Sequence, residues 1–175
     1  KYAFASDVLR FDILYRYGGI YFDTDVKVLK SFTPLIDRYE AFVGFENQYV
    51  NPGLVLYSKN PNHPLFARML KSYEARYFCT GPNEYDLKTV GQQLTELLMT
   101  EGLVSNNQKQ QIAGMTVFPK EYFCPSDYSG LLRDKTDNTY SIHLFAASWR
   151  SPQERYKLQI RKWILKLIGP LRRKK

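Results

Sequence analysis

Cysteine, histidine and tryptophan occur only twice each in these 175 residues, and methionine three times. Two cysteines, Cys79 and Cys124, cannot build a disulfide framework, and their spacing fits no zinc or redox motif. They are read as free thiols of a reducing compartment. The roughly eighteen consecutive apolar residues that a spanning helix requires are also missing. The opening Lys1-Tyr2-Ala3-Phe4-Ala5 lacks the charged-then-apolar layout of a signal peptide. Internal repeats and low-complexity stretches are absent as well. What is present, 44% hydrophobic and 15% aromatic residues, suffices for one sizeable core, and one domain is the expectation.

The net charge of +8 resembles a nucleic-acid signal until it is located. Residues 154–175 hold nine of the 25 basic side chains and one of the 17 acids. Subtraction leaves 16 of each sign for residues 1–153, so the body is balanced and the excess belongs to a tail. A nucleic-acid partner is therefore not expected. In the tail Ile160, Trp163, Ile164, Leu167, Ile168 and Leu171 follow helical spacing, with Arg161, Lys162 and Lys166 off that stripe. Such a basic amphipathic helix suits an anionic membrane surface; the plainer alternative is a terminal helix packed on the domain.

Along the body, apolar periodicity predicts a helix from Ser6 to Tyr17, ended by Gly18-Gly19. Ile20-Tyr21-Phe22 predicts a buried strand that stops at Asp23-Thr24-Asp25. Further strands are expected at Ala41–Glu46 and Leu54–Tyr57, with 47–53 as the loop between them. Others are expected at Met115–Phe118 and Tyr140–Phe145. Helices are expected over Asn62–Tyr77 and through Leu87, Val90, Leu94, Leu97 and Leu98, separated by a Thr80-Gly81-Pro82-Asn83 loop. Strands alternating with helices imply an α/β layer fold, with ligands gathered beyond the strand ends.

Two carboxylates one residue apart after an apolar strand repel each other unless a positive group compensates them. A divalent cation is the simplest compensation: Mg²⁺ or Mn²⁺ takes one or two carboxylates and completes its shell with water and phosphate oxygens. An isolated Asp-x-Asp triplet also occurs in ordinary solvated turns.

The surrounding motifs are more specific. Ser6-Asp7-Val8-Leu9-Arg10 followed by Tyr17-Gly18-Gly19-Ile20-Tyr21-Phe22-Asp23-Thr24-Asp25 closely resembles the glycosyltransferases with a DXD sugar-binding motif. That group includes initiating α-mannosyltransferases, capsular polysaccharide transferases and, distantly, the glucosylating domains of clostridial toxins. Asn51-Pro52-Gly53, Ser58 to Pro64, Thr80-Gly81-Pro82, Phe118 to Pro125 and His143 to Trp149 continue the resemblance, which covers roughly residues 3–150.

The resemblance implies a GT-A fold, a Rossmann-like nucleotide-diphospho-sugar transferase, and metal-dependent, retaining hexosyl transfer from a UDP- or GDP-sugar to a glycan or lipid-linked acceptor. Asp25 would ligate the metal, and Asp23 the metal or the ribose. His143 would be a third ligand or a diphosphate contact. Asp7 and Arg10, one helical turn apart, would meet the donor sugar and its phosphate. Asn51 would line the donor site, and Trp149 would close over the nucleotide. Glu46 flanks the same loop as Asn51, but neither is assigned to the anomeric carbon. Each has a plainer alternative: a surface ion pair for Asp7 and Arg10, a core position for His143, a core or rim position for Trp149.

One departure counts against full activity. GT-A domains of this type begin with a nucleotide-binding strand and helix, whereas only five residues precede Ser6. The expectation is therefore a GT-A portion over 1–153, lacking that front, with the tail at 154–175 and weak or absent transfer by this chain alone. The rival function is a non-catalytic module that holds a sugar nucleotide. Location is expected to be cytoplasmic and peripheral at a membrane, or the Golgi lumen in a eukaryote.

Overall fold

The computed structural model describes residues 2–74, 76–77, 79–82, 84–126 and 134–146, and in the tail positions 153, 156–157, 159–160 and 163–164. Its centre is a five-stranded mixed sheet. The strands are β1 (Gly19–Tyr21), β3 (Ala41–Glu46), β4 (Tyr49–Ser58), β7 (Gln110–Ile112) and β8 (Met115–Phe118), in the order β1-β4-β3-β8-β7. Among these described strands the β3–β8 pair is parallel and the others are antiparallel. A two-stranded ladder joins β2 (Val26–Val28) to β9 (Ser141–His143), and a second joins β5 (Cys79–Gly81) to β6 (Glu84–Tyr85). The chain is thus mixed α/β.

Alternation along the central strands divides the core in two. Val43 and Phe45 of β3 and Leu56 of β4 face three helices: α1 (Tyr2–Tyr17), α3 (Pro64–Glu74) and α4 (Val90–Thr100). Those helices contribute Phe11, Leu14, Leu65, Phe66, Met69, Leu94 and Leu98, all buried. The opposite face carries Phe42, Leu54, Tyr57 and Phe118 against Phe32, Phe123 and Cys124. There the Phe42 and Phe123 rings stack with centroids 6.1 Å apart, and Phe32 lies 5.7 Å from Phe123. Phe32 leads into the short helix α2 (Thr33–Ile36). Truncating one of these fully buried phenylalanines to alanine would cost about 3–5 kcal/mol.

Helix boundaries follow local chemistry. Helix α1 ends at Gly18, whose φ of +67° is left-handed and whose added Cβ would lie 2.9 Å from the Ser58 carbonyl oxygen. Helix α3 starts at Pro64, because Asn62 has a left-handed φ of +62°. Helix α4 starts after its N-cap Thr89, which forms a capping box with Gln92. Leu87, expected inside that helix, instead lies before the cap and is exposed.

Three strand expectations are corrected. The strand ending at the acid pair is an edge strand and only partly buried, since β4 is its one neighbour among the described strands. The expected loop at 47–53 shrinks to a turn at Asn47-Gln48, and β4 already begins at Tyr49. Proline and glycine fit inside this strand because the register jumps: Val43 faces Leu56, whereas Gly44 faces Asn51. Residues 52–55 therefore leave the β3 ladder, and Pro52 has no hydrogen bond to donate there. Finally, the last strand is Ser141–His143, ended before the left-handed Phe145. Thr80-Gly81-Pro82 spans the end of β5 and its turn, not a free loop.

No described helix is long and apolar enough to cross a membrane. The described tail positions are helical and exposed; most of 154–175 lies outside the described residues.

Candidate functional site

Where β1 runs out, the Asp23 backbone N–H donates to the Gly53 carbonyl at 2.9 Å, and Val26 N–H closes a turn onto the Asp23 carbonyl at 3.1 Å. The displaced segment of β4 thus pins the first acid of the Asp-x-Asp triplet. Gly53 leaves room for it: a Cβ there would fall 2.1 Å from Asp23 Oδ2.

Asp23 faces α1. Arg10, only 4% exposed, reaches Asp7 Oδ1 at 2.9 Å and Asp23 Oδ1 at 3.4 Å. The Tyr21 hydroxyl donates to the same Asp23 oxygen at 2.8 Å, and the Arg10 guanidinium sits 4.9 Å from the Tyr21 ring centroid. One buried cation therefore lies between two carboxylates, an arrangement that holds only while all three partners remain. Burial pushes Asp7 up to about 6, outweighing the nearby Arg10 charge. Burial, against Arg10 and with the Asp23 hydrogen bond, pushes the Tyr21 hydroxyl up to about 12.

Asp25 faces the other way. The β2–β9 register sets Val26 opposite His143, and Asp25, just ahead of the strand, brings its carboxylate onto the imidazole. His143 Nε2 lies 3.2 Å from Asp25 Oδ1, and the Ala146 backbone N–H donates to Asp25 Oδ2 at 2.9 Å. The Asp25 carboxyl is held below its ordinary range, chiefly by the His143 hydrogen bond.

Behind the ring, His143 Nδ1 lies 3.4 Å from Glu46 Oε1 and is a buried nitrogen without a hydrogen-bond partner among the described residues. Cys124, fully buried, completes a group of ligand-type atoms with Glu46 and His143 that lie within 4.8 Å of one another. Burial would lower the imidazole, but Asp25, Cys124 and Glu46 prevail and push it up to about 11. The pocket between Asp25 and Glu46 thus favours positive charge. Asn51 braces its wall: its Nδ2 donates to Glu46 Oε2 at 2.7 Å, and its Oδ1 accepts from Gly53 N–H at 2.7 Å.

Of the residues singled out by sequence, the structure joins Asp7, Arg10 and Asp23 in one cluster and Asp25 with His143 in another. Asp23 is turned toward Arg10 and Tyr21, and Asn51 toward Glu46 and Gly53. Trp149 lies outside the described residues. Sequence alone assigns no site role to Tyr21, Cys124 or Gly53, although each lies in a stretch that carries the family resemblance. Spacing carries no signal for Cys124, since nothing local places it beside His143. Both cysteines are free thiols, with Cys79 exposed and Cys124 buried.

Residues 1–42 match the glycosyltransferase sugar-binding region containing a DXD motif. The matched stretch holds Asp7, Arg10, Tyr21, Asp23 and Asp25, hence the whole first cluster and one member of the second. The chain is also 30% identical over 153 residues to lactosylceramide 4-alpha-galactosyltransferase of Rattus norvegicus, covering 80% of this chain and 40% of that protein. The chain therefore spans less than half the length of this relative. Both similarities are to glycosyltransferases. No solved structure matches.

Proposed function

We propose that this chain is the metal- and sugar-nucleotide-binding part of a glycosyltransferase, using a UDP- or GDP-sugar donor. The observation that carries this reading is the pairing of Asp25 with His143 Nε2 at 3.2 Å, next to the buried Asp7–Arg10–Asp23 cluster, in a stretch that matches the DXD family.

A carboxylate oxygen and an imidazole nitrogen facing each other, in a pocket that favours positive charge, fit a divalent cation. Mn²⁺ accepts imidazole more readily than Mg²⁺, which prefers oxygen ligands alone. Asp25 and His143 would hold the ion, with Asp23 reaching it or the donor's ribose. When bound, the ion supplies charge neutralisation for a leaving diphosphate.

Arg10 supplies the protein's own positive charge to that diphosphate, from a position that Asp7 and Tyr21 keep fixed. Asp7 contacts the donor sugar, Asn51 lines the donor site, and Trp149 covers the nucleotide. Among the described residues no carboxylate stands out as a nucleophile, which favours retention through front-face attack by the acceptor hydroxyl. The relative's name describes α-galactosyl transfer to lactosylceramide, a glycolipid; a glycan or lipid-linked acceptor fits that precedent, as does the basic tail at an anionic membrane surface. The likeness to α-mannosyl- and capsular transferases belongs to the same proposal, as does a peripheral or Golgi location.

The test is calorimetry of the chain with Mn²⁺ and a panel of UDP- and GDP-sugars. One donor should bind with Mn²⁺, lose affinity on chelation, and lose it again in Asp25→Asn. Equal binding in all three conditions would overturn the proposal.

A further inference from the structure

A closed circuit of contacts links the two acids of the Asp-x-Asp triplet through residues far away in sequence. Asp23 N–H donates to the Gly53 carbonyl at 2.9 Å. Gly53 N–H donates to Asn51 Oδ1, and Asn51 Nδ2 donates to Glu46 Oε2, each at 2.7 Å. Glu46 Oε1 faces His143 Nδ1 at 3.4 Å, and His143 Nε2 faces Asp25 Oδ1 at 3.2 Å. Glu46 stands at the turning point. Its two oxygens address different partners, and both must accept: one from an amide, the other from a ring nitrogen.

We propose that Glu46 is the positioning residue of this site. It accepts the Nδ1 proton of His143 as a hydrogen bond, so that when a cation displaces the Nε2 proton, Nε2 offers its lone pair on the Asp25 side. It also holds Asn51 so that the Gly53 segment keeps Asp23 in place. This rests on the cation placement proposed above. The physical basis is general: a metal-binding imidazole donates its second N–H to a carboxylate, which fixes the tautomer and ring direction, and loss of that partner weakens metal affinity about 10–100-fold. Glu46 Oε1 lies 3.4 Å from the unpartnered Nδ1, so a small turn of the ring or carboxylate completes the bond, whereas Asp25 lies on the more open flank toward the triplet.

The acceptor requirement makes the idea separable from simple packing. In Glu46→Gln the side chain has one acceptor and one donor, so it must set N–H against either Asn51 Nδ2 or His143 Nδ1. Adding Asn51→Asp reverses that polarity. The carboxylate so introduced accepts both from Gly53 N–H and from the new amide at position 46, which frees the oxygen of that amide for His143. A bulk packing role would not predict this rescue.

The experiment is Mn²⁺ titration followed by pulsed electron paramagnetic resonance of the nucleotide-loaded chain, which reports a directly bound imidazole nitrogen. The chain holds two histidines, so ¹⁵N-histidine labelling and His63→Gln assign the signal to His143. Glu46→Gln should weaken Mn²⁺ about 10-fold or more and diminish the nitrogen coupling. The double variant should recover most of both. Melting curves show that each variant is folded.

Glu46→Gln with affinity within about twofold and coupling intact overturns the positioning role, as does a double variant no better than the single one. Coupling that survives Asp25→Asn but vanishes in Cys124→Ala would put the metal on Nδ1 with Cys124, and also overturns it. If the native chain shows no Mn²⁺ affinity at all, the proposed function itself has failed, an outcome distinct from the others.

Discussion

Replacing Gly53 by alanine adds one methyl group at the point where β4 meets the acid pair. The backbone of Gly53 is not left-handed, so alanine itself is tolerated, and any effect must come from the space that Cβ enters. That space is occupied by Asp23, with Oδ2 at 2.1 Å and Cγ at 2.8 Å, and by Asn51 Oδ1 at 3.1 Å. Moving Asp23 Oδ2 out to an ordinary 3.4 Å contact requires a displacement of about 1.3 Å. The carboxylate cannot slide freely, because Arg10 and Tyr21 hold its other oxygen. Overpacking of this kind costs about 1–3 kcal/mol of stability. A shift of about 1 Å in a positioned group costs on the order of 100-fold in the function that needs it. The assay is urea unfolding beside calorimetric titration with Mn²⁺ and nucleotide: Gly53→Ala should fold with reduced stability and lose about two orders of magnitude in metal-dependent nucleotide affinity. A folded variant that binds within about twofold of the native chain would refute the reasoning. Gly44→Ala is the contrast, since its Cβ would strike Phe123 at 2.4 Å inside the core, so it should lose stability and leave the affinity of the folded fraction unchanged.

Arg10→Met leaves Asp7 and Asp23 uncompensated and should cost about 3–5 kcal/mol in urea unfolding; adding Asp7→Asn should restore part of that stability. Asp7 makes stability depend on pH with a defined sign. Its folded value near 6 lies above the unfolded 3.8, so its contribution is complete below about pH 4 and is lost as pH rises through 6, an effect of up to about 3 kcal/mol. Unfolding curves of Asp7→Asn against the native chain should therefore diverge across pH 4–6 and run parallel above it. Thr89→Ala removes the capping box of α4 and should cost about 1 kcal/mol in thermal or urea melts, with nucleotide affinity unchanged.

Periodicity places β3 and β8 at their observed bounds, and it places the ends of α1 and α3 within a few residues, because apolar faces and glycine or proline stops are local signals. Asp7, Arg10, Asp23 and Asp25 are equally legible, since all four belong to continuous motifs. What fails is non-local. Pro52 and Gly53 read as loop residues because only the register jump opposite Val43 and Gly44 shows that a strand can absorb them. The strand at Ile20 reads as buried because nothing in its own residues reveals that only β4 flanks it among the described strands. Glu46 on β3, Cys124 just after the 3-10 turn Lys120–Tyr122 and His143 on β9 meet only in the folded chain, so no spacing rule could group them.

Beside the ladder between β2 and β9, the side chains of Asp25 and His143 meet across 118 positions, near the two ends of the described body. A nascent chain that has emerged only as far as β8 therefore carries an Asp-x-Asp triplet but half of the pocket. Competence for the cation would arrive in one late step, when the final strand docks, so synthesis products shortened before residue 141 would remain inert toward metal and nucleotide however well their helices had formed.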